Sequence, residues 1–166
     1  RRDMSIDSDI PVPPSPEEQR AAEAVRTLGE ARMDAALRER LRRDFGLSEA
    51  AILSTCNRVE IYAAAPVLDG TIDRLHSFLS DHSGVTLGEL SARLYTYAEP
   101  LSVRHLFSVA SGLDSMLLGE AEILGQVRQA YEWAKGSGAT GKLFNVLFQR
   151  ALNTAKEVRT KTAIGC

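Results

Sequence analysis

The sequence predicts an α+β fold: a small antiparallel sheet packed with helices, followed by a helical subdomain. Three observations carry this. Two short β-prone runs, Ala50-Ala51-Ile52-Leu53 and Val59-Glu60-Ile61-Tyr62, flank the polar stretch Ser54-Thr55-Cys56-Asn57-Arg58. Apolar residues recur at helical spacing over most of the remaining chain. From residue 99 onward every segment reads as helix, which places a helical layer after the sheet.

Taken in order, residues 1 to 16 are polar and carry Pro11, Pro13, Pro14 and Pro16, so an irregular segment is expected. Ser15 before Pro16, Glu17 and Glu18 reads as a helix N-cap. A helix follows through Ala21, Ala24, Val25 and Leu28, and a second through Met33, Ala36, Leu37 and Leu41 to Phe45, with Gly46 as its terminator. Strands are expected at about 50–54 and 58–64. Ile72, Leu75, Phe78 and Leu79 mark a helix over about 71–82, and a short helical turn is expected near 86–91. The alternation in Arg93-Leu94-Tyr95-Thr96-Tyr97 reads as a half-buried strand. Helices at about 99–110, 120–137 and 139–162 complete the chain, the last two parted by Gly136-Ser137-Gly138.

Length and composition set the bounds. A chain of 166 residues, 44% apolar, is about the size of one domain with a real core. No apolar run reaches membrane-spanning length and no secretory signal is present, so no membrane association is expected. Two distant cysteines, Cys56 and Cys166, form no disulfide framework and suit a reducing, cytoplasmic setting. A net charge of −2 argues against indiscriminate coating of nucleic acid, while Arg38, Arg40, Arg42 and Arg43 still crowd one helix. Lys142, Arg150, Lys156, Arg159 and Lys161 bias the last helix in the same way. Arg1 at the start, and Cys166 straight after a helical pattern, lead us to expect a segment of a longer protein.

Two constellations carry candidate chemistry. The first is Cys56 at a strand end, two residues before Arg58. A free thiol has a pKa of about 8.5 and becomes a good nucleophile only where a cation or base favours the thiolate. The competing reading is a small buried residue at a strand terminus. Local sequence leaves both open. A zinc or redox site from Cys56 with His76, His82 or His105 is disfavoured, because the spacings match no common ligand pattern and no Cys-x-x-Cys pair exists. The second constellation is the segment from His105 to Gln126. Gly112, Gly119 and Gly125 interrupt an apolar pattern there, and His105, Ser115, Glu120, Glu122 and Gln126 are polar groups that need partners if buried. A binding pocket and a set of separately satisfied residues both fit.

Three stretches also resemble one family. Ser-Thr-Cys-Asn-Arg-x-Glu-Ile-Tyr, then His-Leu-Phe-x-Val-Ala-Ser-Gly-Leu-Asp-Ser-x-x-Leu-Gly-Glu-x-x-Ile-Leu-Gly-Gln-Val, then Ala-Lys-x-Val-Arg-Thr-x-Thr-x-Ile-Gly are similar to glutamyl-tRNA reductases, over about residues 34–165. The resemblance implies that the Cys56 thiolate attacks the ester of glutamyl-tRNA, leaving a thioester that NADPH reduces to glutamate-1-semialdehyde for tetrapyrrole synthesis. It implies a catalytic role for His105, and substrate contacts from Thr55, Asn57, Arg58, Ser115, Glu120, Ala121, Glu122 and Gln126. Joined with the proline-rich start, this divides the chain into residues 1–16 as an irregular N-terminal segment and 17–138 as the expected catalytic, glutamyl-tRNA-binding unit. Residues 139–166 would be a helix leading toward an NADPH-binding domain absent from this chain. Homodimerisation through another absent domain, and contact with the next enzyme of the pathway, belong to the same expectation.

Departures limit the likeness. The family's opening strand and its Asn-His-x-x-Ala-Pro-like turn have no match in residues 1–30, Ala121 stands where many relatives carry proline, and no Gly-x-Gly-x-x-Gly follows a predicted strand. The alternative function is a module that binds the tRNA acceptor end, or a partner, without independent catalysis.

Overall fold

The computed structural model describes residues 15, 16, 19, 35–55, 58–115 and 121–164. The proline-rich start, most of the expected first helix, Cys56, Asn57, Glu120 and Cys166 lie outside the described residues. Of the N-terminal helix, Pro16 and Gln19 are helical, and the Gln19 amide donates to the Ser15 carbonyl at 2.9 Å.

Helix α1 (Ala35–Phe45) ends at Gly46, whose amide donates to the Arg42 carbonyl at 3.0 Å. Strands β1 (Glu49–Ser54) and β2 (Val59–Ala64) then pair antiparallel, with Ile52 opposite Ile61 and Leu53 opposite Glu60. Helix α2 (Thr71–Ser83) and the short α3 (Leu87–Ser91) follow. A capping box starts α3: Thr86 Oγ1 accepts from the Glu89 amide at 3.3 Å, and the Glu89 carboxylate accepts from the Thr86 amide at 3.1 Å. Helices α4 (Leu101–Ala110), α5 (Ala121–Gly136) and α6 (Lys142–Lys161) complete the described elements. The α+β class read from the sequence is the class observed.

One element departs. Residues 94–98 have no regular secondary structure, so the expected strand Arg93–Tyr97 is corrected. Side chains, rather than a ladder of backbone bonds, hold this segment. Tyr95 and Tyr97 pack on His105, while Thr96 Oγ1 bonds His76 Nε2 at 3.0 Å. The period-2 alternation thus marks which way the side chains point, a property that a strand and a non-ladder segment can share.

The core lies between β1 and the helical layer. Ala50, Ala51, Ile52 and Leu53 are all buried. Helix α5 turns Ile123, Val127, Ala130, Tyr131 and Ala134 inward, and α6 turns Phe144, Phe148, Ala151, Leu152 and Ala155. Both sets follow the spacing of one helix face, and their alanines let the helices approach closely. Phe148 sits at the centre: Tyr131 stacks on it at 5.5 Å, and Tyr62 meets it edge-on at 5.7 Å. Tyr62 shares a face of the sheet with Glu60, because side chains two apart on a strand point the same way. The packing of β2 on α6 therefore also turns Glu60 toward the helices.

A side chain from the sheet closes the start of α6. Gly141, its N-cap, has no side chain to accept from the first turn. The Glu49 carboxylate does so instead, accepting from the amides of Gly141 and Phe144 at 2.7 Å each and of Leu143 at 3.1 Å. Three orphan donors and the positive end of the helix dipole are satisfied by one anion. A Cβ at Gly141 would stand 2.9 Å from Glu49 Oε1, so a larger residue there would push the capping carboxylate aside.

Glu49→Ala should lose about 1–3 kcal/mol in a urea titration, as expected for a charge-assisted cap. Gly141→Ala should also destabilise the native chain, but much less in the Glu49→Ala background, where the clash is gone. Additive losses in that double-mutant cycle would contradict the cap.

Candidate active site

The site is built around a buried acid in the second strand. Glu60 is 7% exposed, although its position in β2 would suit a core residue. A buried carboxylate is costly unless donors surround it. Four do. Glu60 Oε1 accepts from His105 Nε2 at 2.9 Å, from the Tyr95 hydroxyl at 2.5 Å and from Arg58 Nη1 at 3.2 Å. Oε2 accepts from the Tyr62 hydroxyl at 2.5 Å. Burial pushes the Glu60 carboxyl up, but the hydrogen bonds from Tyr62, Tyr95 and His105 outweigh it and hold the group below its ordinary 4.5. Both phenols are pushed up, first by burial and then by the adjacent Glu60 charge, and remain protonated donors.

Separate local devices bring each donor in. Arg58 stands at the foot of β2, where Thr55 and Arg58 close the sequence between the strands on each other. The Thr55 amide donates to the Arg58 carbonyl at 2.9 Å, and the Arg58 amide donates to Thr55 Oγ1 at 3.1 Å. Cys56 and Asn57 are the two residues of sequence between these anchors. His105 projects from α4, and two residues after that helix comes Gly112 with φ +73. The Gly112 amide donates to the Val109 carbonyl at 3.0 Å and the Leu113 amide to the Ser108 carbonyl at 2.9 Å. This left-handed C-terminal turn reverses the chain and delivers Asp114 to Arg58. Arg58 Nη1 donates to Asp114 Oδ2 at 2.6 Å, and Nη2 donates to the Asp114 carbonyl.

The arrangement determines which histidine nitrogen is available. A carboxylate only accepts, so Nε2 of His105 carries the proton on the Glu60 side. Nδ1 lies 4.0 Å from Asp114 Oδ2, beyond hydrogen-bond range, and is the nitrogen left able to accept a proton. The contacts of Arg58 with described residues use Nη1 and one side of Nη2. They leave the edge made by Nε and Nη2, which matches a carboxylate's two oxygens.

Of the residues singled out from sequence, Thr55, Arg58 and His105 come together here. Ser115 is partly buried just after Asp114, Gln126 is partly buried on α5, and Ala121 opens that helix. Glu122 is exposed in the first turn of α5, where its charge complements the helix N-terminus. Cys56, Asn57 and Glu120 are outside the described residues. Sequence reasoning missed Glu60, Tyr62, Tyr95, Tyr97 and Asp114 as a group. One signal was available: an acid interrupts the apolar run Val59-Glu60-Ile61-Tyr62, and the structure pairs it across the sheet with the buried Leu53.

A dinucleotide cradle does not form from these residues. Gly136-Ser137-Gly138-Ala139-Thr140-Gly141 has the glycine spacing, but it joins helix α5 to helix α6 rather than a strand to a helix. The amides that would face a pyrophosphate are those bonded to Glu49.

Because folding lowers the Glu60 pKa, its stabilisation is complete above about pH 4.5 and is lost as pH falls through the lower native value. Glu60→Gln should cost about 2–4 kcal/mol near neutrality, since it leaves buried donors facing an amide. Urea titrations from about pH 7 down to about pH 3 should show wild type and variant converging in acid. A constant gap across that range would contradict an ionised Glu60.

A family model described as "Glutamyl-tRNAGlu reductase, N-terminal domain" matches residues 18–162. A glutamyl-tRNA reductase of Acidovorax sp. (strain JS42) is 53% identical over 119 residues, covering 70% of this chain and 26% of the relative. One from Salinispora arenicola (strain CNS-205) is 45% identical over 118 residues, covering 71% of this chain and 26% of the relative. The solved glutamyl-tRNA reductase from Methanopyrus kandleri superposes with a TM-score of 0.62 at 37% identity, covering 83% of this chain and 32% of that one. The chain thus spans about a quarter of the length of the curated relatives it matches. It belongs to the glutamyl-tRNA reductase family and corresponds to the N-terminal domain of those enzymes.

Proposed function

We propose that this domain carries out the acyl-transfer half of the reaction for which its relatives are named, on glutamate esterified to tRNA. The observation that supports it most is the convergence of Arg58 and His105 on Glu60, beside the Thr55–Arg58 anchors that bracket Cys56 in sequence. In this reading His105 Nδ1 takes the Cys56 thiol proton, and the thiolate adds to the ester carbonyl. A carbon–sulfur bond forms, the bond to the ribose oxygen breaks, and the departing oxygen receives the proton back from Nδ1. Glu60 holds the intermediate imidazolium through Nε2 in the way an orienting acid serves a nucleophile–histidine pair. The Nε–Nη2 edge of Arg58, unused by its contacts with described residues, grips the substrate's side-chain carboxylate. Thr55, Asn57, Ser115, Glu120, Ala121, Glu122 and Gln126 complete the glutamyl pocket.

NADPH would reduce the thioester to glutamate-1-semialdehyde, a precursor of tetrapyrroles. On this reading hydride transfer and dimerisation would belong to parts of the relatives that this chain does not match. On the same reading residues 17–138 are the catalytic unit and residues 139–166 lead toward the nucleotide domain, in a cytoplasmic enzyme. No helix among the described residues is long and apolar enough to cross a membrane.

Incubating the chain with glutamyl-tRNA labelled in the glutamyl group, under single-turnover conditions, should leave acid-stable label on the protein. Cys56→Ser should abolish it, and Glu60→Gln should slow its appearance about tenfold or more, as expected when a general base loses its orienting partner. Binding without label would favour the recognition-only alternative. Label that survives Cys56→Ser would overturn the assignment of the nucleophile.

A further inference from the structure

The hub leaves two aromatic rings turned toward solvent. Tyr95 is 50% exposed and Tyr97 is 45% exposed. They are nevertheless held in place: the Tyr95 hydroxyl is bonded to Glu60, and Thr96 between them is bonded to His76 on α2. The rings lie 5.4 Å apart, and Tyr97 packs on His105 at 4.8 Å. Tyr97 supplies no hydrogen bond to Glu60 and lies outside the buried core, so neither the hub nor the core accounts for it.

We propose that Tyr95 and Tyr97 form a stacking platform for the unpaired nucleobase at the 3′ end of the RNA whose ester the site opens. This rests on the acyl-transfer reading and names how its leaving group is held. An ester on a terminal ribose brings the adjoining base within a few ångströms of the reacting carbonyl. An exposed aromatic face against the proton-handling histidine is placed to receive it. Unpaired bases are commonly bound by stacking on fixed aromatic rings, which needs no hydrogen-bond pattern from the protein.

The test uses an uncharged acceptor-stem RNA hairpin with a single-stranded CCA end, its last base replaced by fluorescent 2-aminopurine, titrated with the whole chain. The platform predicts quenching by the wild-type chain. It also predicts roughly tenfold weaker binding by Tyr97→Ala, and near wild-type binding by Tyr97→Phe, which keeps the ring. An RNA with an abasic 3′ end should bind the wild type about as weakly as the intact RNA binds Tyr97→Ala. That abasic RNA should not distinguish the wild type from Tyr97→Ala. Absence of quenching by the wild type would overturn the proposal, as would a Tyr97→Ala loss of equal size with both RNAs. The probe carries no glutamyl ester, so quenching without label on Cys56 would sink the acyl-transfer reading and keep the platform. Label without quenching would do the reverse.

Discussion

A carboxylate withdrawn from water stays ionised only while donors surround it, and Glu60 meets that condition with groups from several parts of the fold. Arg58 comes from the foot of β2, Tyr62 from its middle, Tyr95 from the irregular segment after α3, and His105 from α4. No one of these contacts would offset the desolvation of the acid. Together they do, and in doing so they hold the strand, the irregular segment and the helix in one relative position. The same bonds that keep Glu60 charged assign the histidine's proton to Nε2 and leave Nδ1 facing the site.

The scaffold behind the hub supplies its rigidity. Tyr62 gives its hydroxyl to Glu60 and its ring to Phe148, so the acid's setting is continuous with the core of α5 and α6. Glu49 ties the far end of β1 to the start of α6. The glycine-rich turn that could be mistaken for a nucleotide cradle is thereby committed to holding the fold together. Catalytic geometry depends on small displacements, and a site anchored on strands and helices keeps them small.

Much of the fold was legible in the sequence because the signals were local. The two β-prone runs, Gly46 after α1 and the helix-face spacing in α5 and α6 each report on a few neighbouring residues, and they became elements close to where they were expected. The segment Arg93–Tyr97 misled for an equally physical reason: alternation records side-chain direction, while a strand also needs a backbone partner. The site was legible only in part. Thr55, Arg58 and His105 could be named from their motifs, but the hub joins residues far apart in sequence, and the one local signal, an acid within the apolar run Val59–Tyr62, does not say which donors surround it. Asp114 shows no local sign of its role until Gly112 is seen to reverse the chain toward Arg58. Glu122, expected among residues needing buried partners, is exposed at a helix start, where water and the helix dipole satisfy it.

The most direct check on this account is the proton position on His105, because everything assigned to the site depends on Glu60 accepting from Nε2. In chain labelled with ¹⁵N-histidine, with His105 assigned by its substitution, the account predicts an Nε2 shift in the protonated range across neutral pH. The signal should move toward an unperturbed tautomer mixture in Glu60→Gln. A wild-type His105 protonated at Nδ1 with a bare Nε2 would contradict the account, and with it the role given to Glu60.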